Sequence, residues 1–306
     1  MTSAPSAVEA ALRAAAISWI ESEASQDRRV FSDADVAAVP LLGQQLRLKD
    51  RTRGIRKPVH WSAALSIVTT YRPEGATRPY EDEVGSDGLL RYKWEGTDPN
   101  LYTNVALRMA MQQQVPLIWF VGIAAGRYTA IAPVWIVGEE PAKTQFIVAV
   151  DPAQRVASVG SIEEVLSREY AWRLTKQRVH QPVFREQVMR AYEGRCTVCR
   201  LKHSRLLDAA HIIADGEPGG DPVVINGMAM CKIHHAAYDT NILGIRPDHV
   251  VEIRPDVLHE KDGPMLEYGL KDRHGQELLW LPRSRKNQPD QDRLGQRYQE
   301  FLNTSS

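Results

Sequence analysis

Apolar residues recur at helical spacing over residues 5–24, with Val8, Leu12, Ala15 and Trp19 on one stripe. This predicts an amphipathic helix that packs on its own domain or presents a dimerisation face. The polar stretch Ser25–Arg29 ends it. From about Leu41 to Val150 the pattern changes to short apolar or β-branched runs: Leu65–Thr70, Leu117–Gly122, Val134–Val137 and Phe146–Val150. Prolines and glycines punctuate them, which predicts a curved β-sheet or barrel. Asn104–Gln114 reads as one helix between strands, and Asp151–Gly160 as a linker. Ser161–Thr175 predicts a helix whose Ser161 and Glu164 form a capping box. Further helices are predicted over Pro182–Tyr192 and Asp290–Leu302. The whole is an α+β chain without internal repeats. Its expected divisions are an N-terminal helical segment (1–39), a β-rich domain (40–150), a linker and helix (151–178) and a C-terminal domain with an extension (179–306).

Length and composition agree with this outline. The 306 residues are 43% hydrophobic and 25% charged, an ordinary globular balance with room for two domains. No apolar window approaches the roughly 18 residues of a membrane span. Glu9 interrupts the place where a signal peptide needs its apolar run, so a cytoplasmic protein is expected. Net charge is zero, with 38 basic and 38 acidic residues, which taken alone argues mildly against a nucleic-acid partner. The distribution softens that argument. Arg47–Lys57 holds six basic residues against one acid, and Arg168–Arg205 ten against three. Local basic faces matter more for phosphate contact than the total.

The chain has three cysteines, Cys196, Cys199 and Cys231. An odd, small number does not make a disulfide framework. Cys196 and Cys199 are separated by two residues, and so are Cys231 and His234. Each pair suits one tight turn offering two ligands, and the two pairs complete a closed tetrahedral Cys3His site for a structural zinc ion. The interval between them leaves room for a β-hairpin.

The segments Cys196–Cys199, Leu206–Ile212, Asn226–Cys231 and Lys232–Asp239, in that order, resemble the HNH nuclease family with its ββα-metal fold. The resemblance covers about residues 180–260. It implies a divalent-metal-dependent DNA endonuclease, using Mg2+ or another divalent cation beside the structural Zn2+. By resemblance His211 is the general base, Asn226 holds the loop that positions it, and His235 binds the catalytic metal next to the zinc ligand His234. Imidazole titrates near neutrality and suits the base, and a divalent ion neutralises the scissile phosphate. Many family members carry an acidic metal ligand immediately before the base, where this chain has Ala210. Asp208 is expected to take that role, with Asp239, one helical turn from His235, as the alternative.

Farther upstream, Tyr80–Val84 with Gly88 and Tyr92 resembles the SET- and RING-associated (SRA) domain, and Gly54–Pro58 resembles that domain's entry segment; Asn104 and Leu107 continue the match. The resemblance implies double-stranded DNA carrying modified cytosine, 5-methylcytosine foremost, as the partner, with the base flipped into a pocket. Tyr80 and Tyr92 would sandwich the base, and Glu83, where the family has aspartate, would read its edge. The combined expectation is a modification-dependent restriction endonuclease, an SRA-like reader joined to a zinc-stapled HNH cutter. A single HNH site cuts one strand, so a homodimer is expected for double-strand cleavage. Two alternatives remain open from the residues: an HNH nuclease indifferent to modification, and a modified-DNA-binding protein that Ala210 has left without activity.

Overall fold

The structure is a computed structural model that describes residues 4–71, 85–155, 170–171 and 173–304, with the backbone alone at 176. The chain forms two compact units, Met1–Val183 and Phe184–Ser306. None of the described helices is long and apolar enough to cross a membrane.

The first unit opens with α1 (Ala7–Ser25), whose N-cap Ser6 accepts a hydrogen bond from Glu9 N. Leu12, Ala16, Ile17 and Ile20 face a core shared with Phe31, Val36, Ile118 and Phe120. A buried ion pair fixes the helix there. Arg13 lies 2.9 Å from Glu9 and also donates to the carbonyls of Ala64 and Pro116, while Glu9 accepts from Ser62 N. Both charges thus gain further hydrogen bonds beside the pair itself, as a buried pair needs, although Nε of Arg13 is left without a partner.

The strands that follow are β1 (Val30–Ser32), β2 (Val39–Leu41), β3 (Gln44–Leu46), β4 (Ile55–Arg56), β5 (Ser66–Thr69) and β6 (Leu90–Lys93). Helix α2 (Tyr102–Gln112) precedes β7 (Leu117–Ala124), β8 (Arg127–Glu140) and β9 (Gln145–Ala149). Seven of these strands form one sheet in the order β4-β5-β7-β8-β9-β6, with β1 on the flank of β8. The long β8 pairs with β7 through its first half and with β9 through its second, with register shifts in both pairings. A strand that changes partner partway curls the sheet into a half-barrel. The helix expected over Ser161–Thr175 lies mostly outside the described residues.

The second unit begins in α3 (Gln181–Ala191). The hairpin β10 (Leu207–His211) and β11 (Gly227–Cys231) runs into α4 (Lys232–Asp239). Around it lie the hairpin β12 (Leu243–Ile245) and β13 (Val251–Ile253), the short helices α5 (Pro255–His259) and α6 (Pro264–Gly269), and the closing helix α7 (Gln291–Thr304). Phe184, Val188, Tyr192, Met228, Met230, Tyr238 and Leu294 build one core. The β10–β11–α4 order is the ββα arrangement expected for this region.

Candidate active site and metal centre

Cys196 and Cys199 occupy a tight turn after α3, closed by hydrogen bonds from Arg200 N to Cys196 O and from Cys196 N to Leu201 O. Thr197 N donates to Ala229 O at 2.7 Å, which seats this turn against β11. Cys231 ends β11, and His234 lies in the first turn of α4. The four ligand atoms fall within 4.8 Å of one another. Sγ of Cys231 and of Cys196 lie 3.0 and 3.6 Å from Nδ1 of His234, and Sγ of Cys199 lies 4.0 Å from that of Cys231. Around a zinc ion with bonds of about 2.0–2.3 Å, tetrahedral ligands are about this far apart.

Nε2 of His234 is 2.8 Å from the carbonyl of Gly269. A carbonyl only accepts, so Nε2 carries a proton and Nδ1 is the nitrogen that faces the cysteines. Hydrogen bonds from Cys196 and Cys199 hold the Cys231 thiol far below its usual value. Burial opposes charge on His234, but its bonding to the cysteines outweighs this and pushes its pKa up to about 10. Hydrogen bonding to Cys199 and Cys231 pushes the Cys196 thiol up in turn, so Cys231 is the cysteine held as thiolate, the form that binds metal.

At the other end of the hairpin, His211 is the last residue of β10 and pairs with Gly227 of β11. Its ring stacks on Phe184 of α3, centroids 4.0 Å apart and planes 17° from parallel. His211 and His235 line one cleft of about 430 Å³, together with Asp215, Glu217, Asp239, Asn241, Arg297 and Glu300. His235 Nε2 lies 3.3 Å from a carboxylate oxygen of Asp239, one helical turn on. Two donors side by side in an open cleft suit a hydrated divalent cation that keeps several waters. Arg297 reaches the same cleft from α7, anchored on Asn241 and on the Tyr238 carbonyl.

Asn226 is fully buried. Its side chain accepts from Ile213 N at 2.9 Å and donates to Ile213 O and Asp221 O at 3.0 and 3.1 Å. Its own carbonyl accepts from Ile212 N at 2.9 Å. One residue therefore clamps the chain immediately after His211.

Two expected contacts are placed elsewhere. Paired residues share a face and neighbours alternate, so Asp208 lies on the opposite face of β10 from His211. Its carboxylate is 3.9 Å from Arg185, and it is absent from the cleft lining; Asp239 is the acid brought beside His235. Ala210 is fully buried, so a carboxylate at that position would be desolvated. Sequence reasoning missed Asp215, Glu217 and Asn241, which follow closely on His211 and Asp239, and Arg297 and Glu300, which come from the distant helix α7. It also missed Phe184, although that residue lies on a predicted helix.

Tyr80 and Glu83 lie outside the described residues. Tyr92 is 6% exposed and sits in the sheet core against Trp119. Its hydroxyl is 2.8 Å from Gly54 O and 3.2 Å from Val68 O. Its ring is buried in the framework, and its expected partner Tyr80 lies outside the described residues. A Cβ at Gly54 would stand 2.8 Å from that hydroxyl, which accounts for the glycine. Asn104 is also structural: buried, it bonds Glu95 N, Glu95 O and Asp98 O. In the basic stretch, Lys49 is buried against Asp33 and over the Tyr128 ring, while Arg51 and Arg53 are exposed.

Residues 196–246 match the family model described as HNH endonuclease. No curated protein matches the chain. Among solved structures, similarity is found to a "Modification dependent TagI restriction endonuclease", at 16% identity and a TM-score of 0.30, covering 82% of this chain and 86% of that one. Similarity is also found to the "Type IV phosphorothioation-dependent restriction endonuclease ScoMcrA", at 14% identity and a TM-score of 0.22, covering 61% of this chain and 55% of that one.

Proposed function

We propose that this chain, whose residues 196–246 form an HNH endonuclease domain, is a modification-dependent DNA endonuclease. The observation that carries the nuclease reading is the single cleft in which β10 delivers His211 and α4 delivers His235 with Asp239. His211 takes the proton from the attacking water at a ring nitrogen. Asn226 holds the following loop and with it the backbone from which His211 projects. His235 and Asp239 would hold the catalytic divalent cation, Mg2+ or another, in place of the expected Asp208. Such a cation supplies charge neutralisation at the scissile phosphate when bound. Cys196, Cys199, Cys231 and His234 would hold a structural zinc ion that ties the Cys196–Cys199 turn to β11 and α4.

The first unit is assigned the reading of modified cytosine, 5-methylcytosine foremost, in an SRA-like manner. Tyr80 and Glu83 are its contacts to a flipped base. This assignment rests on the resemblance of Tyr80–Val84 and of Gly54–Pro58, together with the curled sheet that carries the latter. The exposed Arg51 and Arg53 would meet phosphates. Double-strand cutting with one site per chain calls for a homodimer acting on cytoplasmic DNA. The test is cleavage of methylated and unmethylated plasmid by wild type and His211→Ala, each with and without divalent metal. Metal-dependent cutting confined to methylated plasmid and lost in the variant is expected. Cutting of both plasmids alike would remove the reader, and cutting by the variant would remove His211 as the base.

A further inference from the structure

We infer that Phe184 is a positioning residue for His211: its ring is the plate against which the imidazole is held in its working orientation. The inference rests on the reading of His211 as the base. Phe184 is 2% exposed, in the first turns of α3. It stacks nearly parallel on His211, centroids 4.0 Å apart, within van der Waals contact of the imidazole. An imidazole on a strand end has two torsions to settle. Asn226 fixes the backbone after it, but a backbone clamp leaves the ring torsion open; a flat partner in van der Waals contact closes it.

The opposite strand is cut to admit this plate. Gly227 is the register partner of His211. A Cβ there would lie 2.7 and 2.8 Å from Phe184 ring carbons and 2.6 Å from a methyl of Val188. Val188 is one helical turn from Phe184 and fully buried, so α3 is wedged over the bare backbone of Gly227. The glycine after Asn226 is thereby explained by the base it faces. Phe184 precedes the matched segment 196–246, and the inference adds α3 to the elements that build the site.

The experiment compares Phe184→Leu, which keeps apolar bulk and removes the plane, with Phe184→Tyr, which keeps the plane, in the full chain with modified plasmid. Misorienting a catalytic group costs up to about 100-fold. The leucine variant is therefore expected to lose about 10- to 100-fold in kcat with KM nearly unchanged, at full zinc content. The tyrosine variant is expected to retain most of the rate. Equal kcat in wild type and Phe184→Leu, or equal losses in both variants, would overturn the inference. If the leucine variant does not fold, the wild type still decides it. A ring stacked at this distance shifts the His211 ring-proton resonances upfield of the other histidines, and unshifted resonances overturn the inference. His211→Ala separates the two claims. If that variant cuts at the wild-type rate, the reading beneath falls; if it is silent while Phe184→Leu cuts normally, only the plate falls.

Discussion

Asn226→Asp is nearly isosteric and alters one atom's chemistry, so its effect can be worked out from the structure. The side-chain oxygen that accepts from Ile213 N is retained. The amide nitrogen that donates to Ile213 O and Asp221 O becomes an acceptor facing two acceptors, in a place with no exposure to water. Each buried carbonyl left without its donor costs about 1–3 kcal/mol, so the variant should lose about 2–6 kcal/mol. At this domain size each kcal/mol moves the unfolding midpoint by roughly 3–5 °C. The second unit should then melt roughly 6–30 °C below wild type. The introduced carboxyl prefers to be neutral there, so its pKa is raised in the folded state. Its penalty is therefore smallest in acid and grows as pH rises through that raised value, which makes the deficit larger at about pH 8 than at about pH 5. Cleavage measured in single turnover, below both midpoints, should fall by about 100-fold because the loop after His211 is released. Melting within a degree or two of wild type, with unchanged cleavage, would refute the claim that Asn226 clamps this loop.

Three further outcomes are expected. Protein purified without added metal should carry about one zinc per chain, and Cys199→Ser should lose both the metal and several kcal/mol of stability; a metal-free, fully stable wild type would contradict the zinc staple. Asp239→Asn should slow cleavage and be partly rescued by higher divalent-metal concentration, whereas Asp208→Asn should leave the rate near wild type; the reverse pattern would return the metal to Asp208. In the cleavage-silent His211→Ala background, modified duplex should bind more tightly than unmodified duplex, and Tyr80→Ala should remove about 1–3 kcal/mol of that binding; equal binding of the two duplexes would remove the reader while leaving the nuclease.

In the first unit, periodicity exposed the strands that bury long apolar runs and missed those that do not. β5, β7 and β9 were legible from Leu65–Thr70, Leu117–Gly122 and Phe146–Val150. Only the Val134–Val137 part of β8 was legible, because the strand serves β7 with one half and β9 with the other. Strands of two or three residues, such as β1 to β4, hold too few positions to show alternation. Tyr92 misled for a related reason. It lies on β6, where three of four residues are buried, so neither alternation nor residue type separates a core tyrosine from a base-stacking one. Its hydroxyl explains the choice: between β4 and β5 it needs an acceptor, and Gly54 admits one.

In the second unit the Cys196, Cys199, Cys231 and His234 cluster was legible because it depends on local spacing, whereas the His211, Asn226 and His235 set was named through the resemblance of its segments to a family. A pair two residues apart makes a ligand turn wherever the rest of the chain goes. The choice between Asp208 and Asp239 was decidable by the same reasoning. On a strand, residues three apart fall on opposite faces, so the strand that presents His211 to the cleft turns Asp208 away from it. On a helix, residues four apart share a face, so Asp239 stands beside His235. Arg297 and Glu300 were not decidable in this way. They reach the cleft because α7 packs Leu294 and Phe301 into the body of the unit, and sequence spacing does not record where a distant helix docks. Phe184 stands between these cases. Its helix was legible, but its partner became visible only once β10 and β11 were paired and the bare backbone of Gly227 was found beneath its ring.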